Sequence, residues 1–150
     1  MHITTADKLY PHNTVIVLNP RSGRMRKRID QIRTLASQVP GAVVREAVSL
    51  AELRQTLDEF RGLAANHLVI AGGDGTVQAA LNQLFNDSGW PALPMISIIP
   101  GGTTNMTATD IGIRGSAEKN LLKLGKSLGA ATGLRMVTRP ALQISQTGQP

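Results

Sequence analysis

The sequence predicts an α/β fold: an open, mostly parallel sheet with helices on both faces. Three observations predict it. Short apolar runs alternate with segments of helical periodicity along most of the chain. The runs are almost continuously apolar, as strands buried on both faces must be. Each run is followed by a polar glycine-bearing loop or by a helix-capping signal. At 150 residues, 41% hydrophobic and 17% charged, the chain is long enough for one substantial core.

In chain order, "TVIVL" reads as a buried strand leading into the loop "NPRSG". From Arg24 to Gln38, residues Met25, Ile29, Ile32, Leu35 and Ala36 recur at helical spacing. "AVVREA" reads as the second strand. "SLAELRQTLDEFRGLA" then opens with a capping box, Ser49 and Glu52, and sets Leu50, Leu53, Leu57 and Phe60 on one helical face. "HLVIA" is the third strand, followed by a helix from Thr76 to Phe85 with Val77, Ala80, Leu81 and Leu84 inward. "NDSGWPALP" is turn chemistry. "MISII" is the fourth strand and ends in "PGGTTN"; a shorter helix and then Ala117 to Leu128 follow.

The pattern changes near Gly133, where "GLRMVTRPALQIS" reads as two short strands with no helix between them. Residues 1–132 are therefore expected to form the α/β domain and 133–150 the stump of a second, β-rich domain. Leu134, Met136, Leu142 and Ile144 alternate along that stump. Two isolated strands are marginal in water, so the tail is expected to be disordered or to pair between copies as a homo-oligomer.

Composition narrows the chemistry. The absence of cysteine excludes disulfides, thiolate nucleophiles and thiolate metal sites. His2, His12 and His67 are scattered without ligand spacing, so no histidine metal site is expected. No apolar run reaches the ~18 residues of a spanning helix. The N-terminal segment lacks a hydrophobic signal core, which points to a cytoplasmic location. A net charge of +6 favours an anionic partner. Only four aromatics occur, which weakens a single-strand nucleic-acid reading, because such binders stack bases on aromatic rings. Five of the sixteen cationic residues sit in "RSGRMRKR", either as a solvated helix face or as a basic collar beside a phosphate or lipid surface.

Parallel strands place the loops "NPRSG", "GGDGT" and "PGGTTN" on one edge of the sheet, where ligands of open α/β sheets bind. Three such loops together point to a phosphate site. In the second loop, Gly72, Gly73 and Gly75 would allow positive φ and close backbone approach to a ligand. A helix starting near Thr76 would turn free amides and a positive dipole toward it. Asp74 would repel a bare phosphate unless a cation lay between them, so it implies magnesium; the bland alternative is a loop-stabilising Asx turn. Two look-alikes fail. "GKS" at Gly125 has Asn120 where a Walker loop needs glycine, and "GGDGTVQA" ends on Gln78 where the dinucleotide fingerprint needs glycine. The Asn-x-Thr sequon at Asn105 carries no weight in a chain without an export signal.

With "NPRSG", "VIAGGDGTV" and "IPGGTTN" in this order, the stretch from Thr14 to Ile113 resembles the diacylglycerol kinase catalytic domain family, which includes bacterial soluble lipid kinases and sphingosine kinases. "GGDGT" alone is shared with NAD kinases and is similar to phosphofructokinase loops. The resemblance implies a kinase that uses ATP and magnesium to phosphorylate a lipid hydroxyl such as that of diacylglycerol, at the inner membrane face. It places Asn19 and Gly23 beside the nucleotide, the backbone of Gly72, Gly73, Asp74, Gly75 and Thr76 on the phosphates, and Val77 and Gln78 close by. Gly102, Thr103 and Asn105 complete the implied nucleotide set, and Asp74 takes the catalytic and metal-binding role. The sequence departs from the family at Met106, where an acid usually follows the asparagine, with Asp110 a helical turn away. It also has Ser49 where a threonine is common after the second strand. Family enzymes carry a second, β-rich domain with the lipid pocket, so this chain is expected to behave as an N-terminal part, inactive alone. The competing readings are an NAD kinase-like enzyme and a non-catalytic basic module on a membrane surface or RNA; a nucleic-acid partner is not expected.

Overall fold

The computed structural model describes residues 13–87, 89–130, 134 and 136–140. Four strands, β1 (Thr14–Leu18), β2 (Val43–Glu46), β3 (His67–Gly72) and β4 (Met95–Pro100), form one fully parallel sheet in the order β2-β1-β3-β4. Five helices accompany them: α1 (Ile29–Ser37), α2 (Leu50–Gly62), α3 (Asp74–Asn86), α4 (Met106–Asp110) and α5 (Ala117–Gly129). None of these helices is long and apolar enough to cross a membrane.

Strand side chains alternate between two cores. Val15, Val17, Leu68, Ile70 and Ile98 meet α2, α3 and α4 through Leu57, Phe60, Ala80 and Ala108. Ile16, Leu18, Val69, Ala71 and Ile99 face the other way, onto Ile32 and Ala36 of α1 and Leu121 and Leu124 of α5. A strand with apolar side chains on both faces can be satisfied only by this three-layer arrangement. The chain therefore leaves β1 and β3 toward opposite faces, and a crevice opens between their carboxyl ends.

Several boundaries differ from the sequence expectation. The segment from Arg24 to Gln38 is not one helix: Met25–Arg28 forms a 3-10 turn, and Arg28 departs from helical geometry before α1 begins. α3 starts at Asp74, two residues ahead of Thr76, because extended Gly73 serves as its N-cap. The capping box of α2 forms, with the Ser49 hydroxyl accepting from the Glu52 amide at 3.2 Å, while the Glu52 carboxylate reaches back to the Val48 amide. In the tail, Leu134 makes a single bridge and packs on the α1–α5 core, and residues 136–140 form no strand. Leu142 and Ile144, the expected second strand, lie outside the described residues, as do His2 and His12.

His67 is a core residue at the amino end of the sheet. It is fully buried and links three strands, with Nδ1 3.0 Å from the Thr14 hydroxyl and Nε2 2.8 Å from the Ser97 hydroxyl. Burial lowers its pKa from 6.5 to about 4. The unfolded chain therefore binds more protons than the folded one across that interval, and stability falls as the pH drops from 6.5 toward 4. A shift of this size corresponds to at most about 3 kcal/mol. Urea midpoints should decline over this window, and His67→Gln, which cannot titrate, should flatten the decline while lowering stability at neutral pH.

Candidate functional site

The three glycine-bearing loops meet beyond the carboxyl ends of β1, β3 and β4. The first is tied to the sheet by the Asn19 amide, which donates to the Ala71 carbonyl at 2.9 Å. The Asn19 side chain donates to the Thr76 hydroxyl at 2.9 Å, and the Ser22 hydroxyl accepts from the Gly73 amide at 3.2 Å. The third loop is held by Gly101, whose amide donates to the Gly72 carbonyl at 2.8 Å and whose carbonyl accepts from the Arg24 and Met25 amides. Each loop is thus bonded to both others by backbone or by short side chains.

Glycine is needed here for loop-to-loop approach. A Cβ on Gly102 would lie 2.6 Å from the Gly73 Cα, and one on Gly73 would lie 3.1 Å from the Gly102 Cα. The expected positive φ is not found: Gly73 is extended at φ −89°, and neither Gly72 nor Gly75 is among the glycines with positive φ. The strained position is Asn105, left-handed at φ 54° and ψ 46°. Its side chain accounts for that conformation by bracketing Gly102, accepting from its amide and donating to its carbonyl, both at 2.8 Å. Asn105 therefore shapes the third loop, and both ends of its amide are engaged there.

Asp74 has partners that the sequence did not disclose. Its two carboxylate oxygens accept from the Met106 and Thr107 amides at 3.0 and 2.9 Å, capping the start of α4. The Thr107 and Met106 amides hold the Asp74 carboxyl below the usual carboxylate range. Neither an Asx turn nor a cation is required to explain an acid in this loop: it joins the second loop to α4 from 32 residues away. The Met106 side chain, in place of the family's acid, is 66% exposed and points into no core. Asp110 sits at the far end of α4.

Two cavities flank the loop contact and take up part of the expected set; Gly72, Asp74 and Gly102 line neither. The first, about 380 Å³, opens at the crevice between β1 and β3 and is lined by Asn19, Ser22, Gly73, Gly75 and Thr76, with Ser49, Leu50, Leu53 and Ala79 as its walls. The second, about 540 Å³, holds Gly23, Thr103 and Asn105 beside Arg24, Lys27 and Arg28, and reaches the start of α5 at Ser116. Val77 points into the core and Gln78 is exposed on α3, so neither lines a cavity. Ser22 and Gly101 are the loop-binding residues that motif reading passed over; Ser22 lies within "NPRSG", and Gly101 opens the third loop. Among the described residues, no three His, Asp or Glu side chains gather as a metal-ligand set.

Because the Gly73–Gly102 contact is backbone against backbone, it cannot relax by turning a side chain. Gly102→Ala is expected to cost about 1–3 kcal/mol in chemical denaturation, as overpacking does, whereas Gly75→Ala, with open space around its Cβ, should cost far less.

The comparisons with known proteins agree with this architecture. A solved diacylglycerol kinase from Bacillus anthracis superposes with a TM-score of 0.63 at 22% identity, over 80% of this chain and 42% of that one, and so shares the fold. The Escherichia fergusonii protein named "Probable lipid kinase YegS" is 28% identical over 108 residues, 72% of this chain and 36% of its own length. A Caenorhabditis elegans protein whose name includes diacylglycerol kinase is 33% identical over 99 residues, 65% of this chain and 10% of that one. This chain thus spans well under half the length of these relatives. The sequence model of the diacylglycerol kinase catalytic domain matches residues 13–134, which carry all three loops and the whole described sheet; the chain belongs to the diacylglycerol kinase catalytic domain family.

Proposed function

We propose that this chain is the nucleotide-binding part of a lipid kinase that transfers the γ-phosphoryl group of ATP to a lipid hydroxyl, diacylglycerol being the model acceptor. The observation that carries the reading is the crevice cavity: about 380 Å³, at the carboxyl edge of a parallel sheet, with amide-rich loops on one side and apolar walls on the other. Leu50, Leu53 and Ala79 offer a surface for a planar base, and the Ser49 hydroxyl stands at the same wall. The start of α3, with Gly73 as its cap, presents amides and the positive end of the helix dipole to phosphate oxygens.

The donor set suits magnesium of the kind that accompanies a nucleotide. Such an ion needs one or two protein carboxylates and takes its remaining ligands from phosphate and water. Asp74 would hold it through lone pairs not used on α4, and the ion would neutralise charge on the transferring phosphoryl group. The protein's own part is positioning. Asn19 and Ser22 fix the first loop against Thr76 and Gly73, and Asn105 fixes the third. The rest of the length of the relatives would supply the acceptor pocket and the group that accepts the lipid hydroxyl's proton.

Calorimetry should detect weak binding of ATP or ADP in the presence of magnesium. Gly73→Val should abolish it, by displacing the third loop as well as by crowding the phosphates; equal affinity in the two proteins would remove the phosphate-loop reading. Asp74→Asn tests the metal separately. It should lower stability by about 1 kcal/mol, because the carboxamide keeps one acceptor for α4 and loses the other, and also erase the magnesium dependence of nucleotide affinity. A lower melting temperature with an unchanged magnesium response would leave Asp74 a purely structural role.

Residues 133–150 are read as the beginning of a β-rich second unit. The 150-residue chain alone should give no detectable transfer of radiolabelled phosphate to diacylglycerol, and light scattering should report any self-association driven by the tail. Robust transfer by the chain alone would overturn the division of labour proposed here.

A further inference from the structure

The two most cationic segments of the chain are about 90 residues apart in sequence and share one surface in the fold. Residues 24–28 and helix α5 together carry seven Lys or Arg residues against one carboxylate, Glu118. They meet at the 540 Å³ cavity, where Arg24, Lys27 and Arg28 stand on one side and Ser116 and Glu118 on the other. Arg28 donates to Glu118 at 3.1 Å and ties the 3-10 turn to the first turn of α5. That bond engages the one acid within these two segments.

The rest of α5 extends the same charge. Ala117, Leu121 and Leu124 face the core, so Lys119, Leu122, Lys123 and Lys126 fall on the outward stripe, all exposed. None of the three lysines has an ion pair among the described residues, and neither do Arg24, Arg26 and Lys27. Arg33, Arg45 and Arg61, on α1, β2 and α2, each bind a carboxylate instead. Of the ten Lys and Arg residues without an ion pair among the described residues, six lie in these two segments.

We infer that this surface, the 3-10 turn together with the outer stripe of α5, docks the protein on an anionic phospholipid bilayer. Uncompensated lysines lie in an exposed row and suit the diffuse negative potential of a leaflet. Leu122, 49% exposed in the middle of that row, supplies an apolar foot for the interface. A single-stranded polynucleotide fits less well, since none of the four aromatics lies in either segment to stack on a base. The choice of bilayer rests on the lipid-kinase reading, to which it adds the face that meets the membrane. Docked this way, the third loop and Thr103, at the rim of the shared cavity, lie beside the leaflet that holds the acceptor lipid.

Flotation of the 150-residue chain with vesicles tests the inference. Vesicles of phosphatidylcholine with added phosphatidylglycerol should bind it at low salt, and vesicles of phosphatidylcholine alone should not. Each lysine facing an anionic leaflet contributes roughly fivefold, so reversing two charges, K123E with K126E, should weaken partitioning by more than about tenfold. Both residues are exposed and lie outside either cavity, so magnesium–nucleotide affinity should stay as in the parent. L122A should retain low-salt binding and lose what persists at raised salt. Equal partitioning of the parent and the double variant, or no preference for phosphatidylglycerol, overturns the inference. So does tight binding of polyuridylate that the same two reversals abolish while vesicles are ignored. Vesicle binding that depends on these lysines, in a chain that binds no nucleotide, would sink the kinase reading and leave the surface standing.

Discussion

The β3–β4 ladder does not stop where the strands end. Gly72 pairs with Pro100, the Gly101 amide donates to the Gly72 carbonyl, and Gly73 then lies against Gly102 with no side chain between them. This backbone contact sets the separation of the second and third loops. The first loop is fastened to both, through Ser22 on Gly73 and through the Gly101 carbonyl on Arg24 and Met25. Neither cavity would have its present walls if the two glycine pairs moved apart.

Much of this was legible in the sequence, for physical reasons. A fully parallel sheet demands strands that are apolar on both faces, and "TVIVL", "HLVIA" and "MISII" satisfy that demand almost without interruption. Helical spacing identified the core faces of α2 and α3 except at Leu50, expected inward but half exposed at the first turn of α2, and Ser49 with Glu52 marked the start of α2. Parallel strands then carry their following loops to one edge, so the convergence of the three motifs followed from topology alone.

What the sequence concealed were relations between residues far apart in the chain. Nothing near Asp74 announces that its oxygens will be taken by amides 32 and 33 residues later. The glycines were legible as necessary and illegible in purpose, because a chain cannot show which backbone will press against its own. Positive φ was the natural expectation for Gly73, yet it was Asn105, with a side chain able to bond its own loop, that took the left-handed conformation. The break at Arg28 was hidden in the same way, since its apolar spacing continues through the 3-10 turn. The clustering of basic residues 24–28 was visible, but its continuation on α5 depends on how α1 and α5 pack.

The cap that Asp74 places on α4 has an electrostatic consequence. A carboxylate in water is held by a mobile hydration shell, and bringing another ion beside it requires that shell to rearrange. Two of the donors around Asp74 are instead peptide amides of fixed orientation, supplied by a helix that is itself anchored through the Asn105 bracket. Its negative charge is therefore solvated by protein before any ligand arrives. If the second loop receives an ionic ligand, as proposed above, that ligand would meet a charge whose surroundings are partly arranged in advance, and the reorganisation energy of the encounter would be correspondingly smaller.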